Sequence, residues 1–271
     1  MEFVHRRIEE KVNFSNHTLV IPSVSNGNVG QLAVECLVHN FSVADHLDVI
    51  SRGWLKSRDV LPLAGNTFLG KDKKSLIRIN LEIFQDEKNK LLFLIQRAPV
   101  ARDKEERFAS SLLKWAKSKG IEHVLVLGGS ATKGATMNRM MSAMCVNVTS
   151  RETENLGKIA KLETDWNKFS REMWIDRFPF SGLLRLFLCT AQSTKTQVSA
   201  LVLPCVEGNN FIDGMRVAAT VLHYLSNNGL QLAPPVSDDD DDDDKKKNWT
   251  LQSPRTWSLV DQDRPLESSM Y

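Results

Sequence analysis

Two parts of this chain join an amphipathic helical pattern to a short, uniformly apolar run, and that alternation limits the fold more than any other feature. In the first, Phe108, Ala109, Leu112, Trp115 and Ala116 fall at helical spacing, Gly120 is placed to stop the helix, and His123-Val-Leu-Val-Leu-Gly128 follows at once. In the second, the strand-like Val198 to Val206 precedes Phe211, Met215, Ala218, Leu222 and Leu225, with Gly229 as the stop. Apolar on both faces, such strands need helices above and below the sheet, so the pattern predicts an α/β domain. Leu91 to Ile95 is another continuous apolar run. Leu76 to Phe84 instead alternates, with Ile77, Ile79, Leu81 and Ile83 against Arg78, Asn80 and Glu82, and predicts a strand buried on one side. Polar Gln85 to Lys90 joins the two as a hairpin, so the sheet is expected to be mixed.

Near the N-terminus, the β-prone Thr18 to Pro22 runs into Ser23-Val-Ser-Asn-Gly-Asn28. Val29, Leu32, Ala33, Cys36 and Leu37 then repeat at i, i+3, i+4, i+7, i+8, predicting a helix with one buried face. Asn28 is placed to cap it, and Gln31 to reach back to the cap's own N–H. Asp103 and Glu106 offer the same arrangement before the Phe108 helix. Between Thr132 and Lys195 the pattern is weak, with a strand over Ala143 to Val148 and a helix over Glu152 to Leu162 as the readings available.

The folded domain is expected over residues 1–232. Pro234-Pro235 and the aspartates Asp238 to Asp244, followed by Lys245 to Lys247, cannot pack, because like charges repel and no apolar surface offsets the ordering entropy. Residues 233–248 are therefore expected to be a disordered acidic linker, and 249–271 a C-terminal tail. Trp249 and Trp257 are more apolar than a spacer needs, and are expected either to pack back on the domain or to dock on a partner. Removing the Asp/Lys stretch lowers Lys+Arg from 35 to 32 and Asp+Glu from 33 to 26, so the remainder carries +6. Those basic residues are scattered and not interleaved with aromatics, which argues against a nucleic-acid partner.

No run approaches about 18 apolar residues, and Met1 to Asn13 has no secretory apolar core, so the sequence points away from a membrane and toward the cytoplasm and nucleus. Cys36, Cys145, Cys189 and Cys205 are widely spaced among apolar neighbours and read as reduced core residues. The six histidines lack metal-ligand spacing, and no nucleophile elbow accompanies the serines, so no metal, cofactor or catalytic residue is assigned. Two glycine loops, Gly27-Asn-Val-Gly30 and Gly128-Gly129-Ser130, stand at strand ends where α/β folds keep ligand sites. Each reads either as a turn or as a phosphate cradle using free N–H groups and a helix dipole. The cradle reading leaves open an enzyme of the nucleoside phosphorylase or hydrolase class.

The block Ile21-Pro-Ser-Val-Ser-Asn-Gly-Asn-Val-Gly-Gln-Leu-Ala33 closely resembles the N-terminal signature of the proteasome assembly chaperone 2 family. Its loop and helix start comprise Asn26, Gly27, Asn28, Gly30 and Gln31, and Pro254-Arg-Thr-Trp257 resembles the family's P-x-x-W ending. The resemblance implies a three-layer α/β/α fold similar to the nucleoside phosphorylases without their catalysis. It also implies a heterodimer with proteasome assembly chaperone 1 that binds proteasome α subunits and promotes 20S α-ring assembly. Chaperones of this class often end in a hydrophobic-Tyr-any-residue tail, whereas this chain ends Met270-Tyr271, one residue short of that register. Met270 and Tyr271 are nonetheless the expected α-ring contacts of the tail.

Overall fold

In the computed structural model, which describes residues 1–7, 11–43, 49–68, 75–131, 144–148, 183–227, 251–254 and 257, the apolar runs form the middle of one mixed sheet. Its strands are β1 (Glu2–His5), β2 (Thr18–Pro22), β3 (Val49–Lys56), β6 (Glu82–Asp86), β7 (Leu91–Ile95), β8 (His123–Ala131), β9 (Met144–Val148) and β10 (Gln197–Cys205). Their order is β1-β3-β6-β7-β2-β8-β10-β9. β7, β2, β8 and β10 are mutually parallel, and the strands outside them pair antiparallel. A separate hairpin joins β4 (Ala64–Phe68) to β5 (Ser75–Ile79).

Period-two alternation divides the central strands between two cores. Val20, Leu91, Phe93, Leu125, Leu127, Leu201 and Leu203 face α1 (Val29–Val43) and α4 (Phe211–Asn227). Leu19, Ile21, Leu92, Leu94, Val124, Val126, Ala200 and Val202 face α2 (Glu105–Ser118) and α3 (Leu183–Thr194). The result is the expected α/β/α sandwich.

The alternating stretch Leu76 to Phe84 is not the single strand its period predicts. Leu81 adopts φ 59°, and the chain turns at Asn80–Leu81, so β5 leaves for the hairpin while β6 enters the main sheet. Asn80 stabilises the break: its Oδ1 accepts from the Leu81 N–H at 3.1 Å and the Arg97 N–H at 2.7 Å. The α2 cap also differs, because Asp103 sits at φ 61° and Lys104 precedes the helix without a side-chain cap bond. Gly120 does end α2. At φ 69° it lets its own N–H reach the Lys117 carbonyl at 3.0 Å and the Ile121 N–H reach that of Ala116 at 3.1 Å. β9 lies on the strand expected over Ala143 to Val148, whereas the helix over Glu152 to Leu162 and the stop at Gly229 lie outside the described residues.

Candidate functional site

β2 continues into α1 on one face of the sheet, while α3, which follows β8 in the chain, lies on the other. The crevice between the C-terminal ends of β2 and β8 is therefore a topological switch point, the usual ligand position in open α/β sheets. Both glycine loops meet there. A 3-10 turn at Asn26–Asn28 leads into α1, with Gly27 at φ 66° and Asn28 at φ 52°.

The protein itself fills this crevice. Ser25 Oγ donates to the Ser23 carbonyl at 3.0 Å and accepts from the Gly129 N–H at 2.8 Å, tying one loop to the other. The Ser23 N–H goes to the Leu127 carbonyl at 2.6 Å, and the Asn28 N–H to that of Ser25 at 3.2 Å. The Gly27 N–H donates to Glu207 Oε1 at 3.3 Å, so a carboxylate from the β10–α4 turn takes a position an anionic ligand would use. Asn210, its Nδ2 held by the Val206 and Gly208 carbonyls at 3.1 Å, packs against Gly27 so closely that a Cβ there would overlap it. Gly30 likewise approaches the Leu127 carbonyl with no room for a side chain. Cys205 donates to the Asn26 carbonyl at 3.3 Å; burial, aided by Asp213 and Glu207, pushes its thiol up to about 11. That thiol stays protonated at neutral pH and is no nucleophile there.

The expected cap does not form. Asn28 is exposed in the left-handed region, and its side chain makes no hydrogen bond among the described residues, nor does the buried Gln31 Oε1. An N-cap needs extended backbone, and Asn28 departs from it because the Gly27 turn carries the left-handed conformation on by one residue.

Trp257 lies on the domain, against α1 just beyond the signature block. It is buried against α1 and α4, its ring is stacked on Phe211 with centroids 4.8 Å apart and planes within 8°, and its Nε1 donates to Glu35 Oε2 at 3.3 Å. Part of the segment assigned to the tail thus packs on the folded body. Trp249, Met270 and Tyr271 lie outside the described residues.

The pattern of the PAC2 family matches residues 19–238, from β2 through α4 and into the aspartate run. The chain belongs to the PAC2 family. Among relatives, proteasome assembly chaperone 2 of Nematostella vectensis is 26% identical over 217 residues, covering 75% of this chain and 87% of the relative. Proteasome assembly chaperone 2 of Homo sapiens is 26% identical over 265 residues, covering 93% and 94%. Pyrococcus furiosus PbaA, an archaeal homolog of proteasome-assembly chaperone, superposes with a TM-score of 0.57 at 15% identity over 83% of this chain and 86% of its own, which extends the PAC2 fold to it.

Sequence reasoning missed the residues that close the PAC2 crevice from the far side, Cys205, Glu207 and Asn210. Their one signal was position, since Glu207-Gly-Asn-Asn210 is a turn between a strand and a helix on the same sheet edge as the glycine loops. A buried charge cluster was also missed. Glu82, fully buried on β6, accepts from Arg6 at 2.6 Å, from Arg78 at 3.0 Å and from Ser51, while Arg78 lies over the Phe84 ring at 4.9 Å. Glu82 looked like the solvent side of an alternating strand, and only the break at Asn80 turns it inward.

Proposed function

We propose that this PAC2 family member is a non-catalytic chaperone of proteasome assembly, working as a heterodimer with proteasome assembly chaperone 1 and binding α subunits as the 20S α-ring forms. One observation carries the reading: the human protein named proteasome assembly chaperone 2 aligns over 93% of this chain and 94% of its own length. The crevice geometry supports it. Loop N–H groups that would hold a phosphate already donate to Ser25 and Glu207, and an exposed carboxylate at that mouth repels an anion. Val206 and Ile212 at the same end, and Leu61 and Leu63 beside the β4–β5 hairpin, are exposed apolar side chains of the kind a protein partner covers. The free thiols of Cys36, Cys189 and Cys205 suit the reducing cytoplasm and nucleus, where the protein is proposed to work.

The test is recovery of the tagged protein from its own cells at native expression, with its partners identified by mass spectrometry. A second chaperone subunit and proteasome α subunits are expected. Recovery without either, or saturable binding of phosphate or a nucleoside by calorimetry, overturns the proposal.

A further inference from the structure

The chain returns to the body beyond α4 through contacts that together make a peptide site. Gln252 and Asn40 bond in both directions: the Gln252 N–H donates to Asn40 Oδ1, and Asn40 Nδ2 donates to the Gln252 carbonyl, each at 2.8 Å. A side-chain amide used this way stands in for a neighbouring strand and fixes an extended peptide by its backbone. Leu251 packs on the α1–α4 core beside it. Five residues on, the Trp257 ring is clamped between Phe211 and the Glu35 carboxylate, which is itself held by Arg97 at 2.8 Å.

We propose that Leu251–Trp257 is a clasp, a peptide bound in cis in a groove between α1 and α4 whose recognising residues are Glu35, Asn40 and Phe211. The groove takes a segment held by its backbone at Gln252, with the Trp257 N–H turned back to the Pro254 carbonyl at 2.9 Å so that the indole is presented five residues after the paired position. Its direction is set by the contacts. Asn40 lies toward the C-terminal end of α1, Glu35 lies about one and a half turns nearer its start, and Phe211 opens α4, so the peptide runs antiparallel to α1 toward the glycine-loop end of the sheet.

The clasp redefines the acidic run. Asp238 to Asp244 falls in sequence between Asn227 and Leu251, two points held by the body, so in this proposal the run is tethered on both sides rather than being the base of a long arm. From Trp257 to Tyr271 a flexible coil would span roughly 20 Å root-mean-square, against roughly 30 Å for one starting at the aspartates. The clasp thus anchors Trp257 on Phe211, next in the chain to the exposed Ile212. None of this depends on the partner being a proteasome subunit.

The sequence supplies its own test. Enteropeptidase cleaves after the lysine of Asp-Asp-Asp-Asp-Lys, and Asp241 to Lys245 is such a site, so the full-length protein can be cut after Lys245 without engineering. The fragment Lys246–Tyr271 is expected to stay with the body through gel filtration. In cut Trp257→Ala and Gln252→Pro proteins it is expected to be lost; both changes lie in the fragment, and Gln252→Pro removes the N–H that Asn40 accepts while also fixing the backbone there. A fluorescent peptide spanning residues 248–262 should then bind either emptied body, as read by anisotropy. Release of the fragment from the cut wild type overturns the clasp. So does retention by both variants, or failure of the peptide to bind an emptied body whose circular dichroism is that of the wild type.

Discussion

Acidification should unfold this protein in part through one buried histidine. His123 opens β8, only 9% exposed, with Nε2 2.8 Å from Ser199 Oγ on β10 and its ring stacked against Tyr224 of α4. Burial holds its pKa down at about 4, against 6.5 for the free side chain. Between those values the unfolded chain takes up a proton that the folded chain refuses, so stability rises with pH across the interval. The contribution is complete above about pH 6.5 and is lost as pH falls toward 4, where it amounts to about 3 kcal/mol at about 1.4 kcal/mol per pKa unit. At pH 5 about 2 kcal/mol is already gone. His123→Gln can keep a donor near Ser199 Oγ and removes the titration. Urea denaturation of both proteins at pH 7.5 and pH 5.0, with the slope m checked for constancy, isolates the effect, because His17 and the carboxylates titrate in both. The wild type should lose about 2 kcal/mol more than the variant over that interval. Equal losses would refute the reasoning and place the His123 proton within reach of solvent.

Three further outcomes follow from the packing. Gly30→Ala should cost about 2–4 kcal/mol in chemical denaturation, because its Cβ would drive α1 off the Leu127 carbonyl and the Ser23 carbonyl 3.2 Å away. Asn28→Ser separates two explanations of that position: a helix cap would tolerate serine, whereas the observed φ of 52° makes it cost about 1 kcal/mol, with Asn28→Gly neutral or stabilising. Glu82→Ala should cost about 3–5 kcal/mol by leaving Arg78 buried without its counter-charge, and Glu82→Ala/Arg78→Met should recover much of that loss in a double-mutant cycle.

The fold was legible wherever side-chain period and burial agree. β2, β7, β8, β10, α1 and α4 start within a residue of where apolar periodicity places them, because each contributes a continuous face to one of the two cores. The sequence misled where one backbone torsion outweighed the pattern. Leu76 to Phe84 keeps a perfect alternation through Asn80 and Leu81, yet the left-handed Leu81 ends one strand and starts another. Both proposed capping boxes failed the same way, since Asn28 and Asp103 tolerate positive φ as readily as they cap, and composition does not tell these uses apart. The signature residues Asn26 to Gln31 were visible as a loop and helix start, but what closes over them was not, because Cys205, Glu207 and Asn210 lie about 180 residues away along the chain.

The crevice explains why a strongly glycine-marked loop need not mark a ligand. Glycine is required at 27 and 30 for contacts with protein atoms, Asn210 in one case and the Leu127 backbone in the other. A phosphate loop uses glycine for the same geometric reason, to let something approach the backbone closely, so sequence shows the approach without saying what approaches. Here the β10–α4 turn makes the approach, joining the ends of β2, β8 and β10 into one rigid edge. Phe211, the next residue after Asn210, carries the Trp257 stack on that same edge. The switch point thus becomes a joint, and the end of the sheet where open α/β folds keep ligands is instead occupied by the protein's own β10–α4 turn.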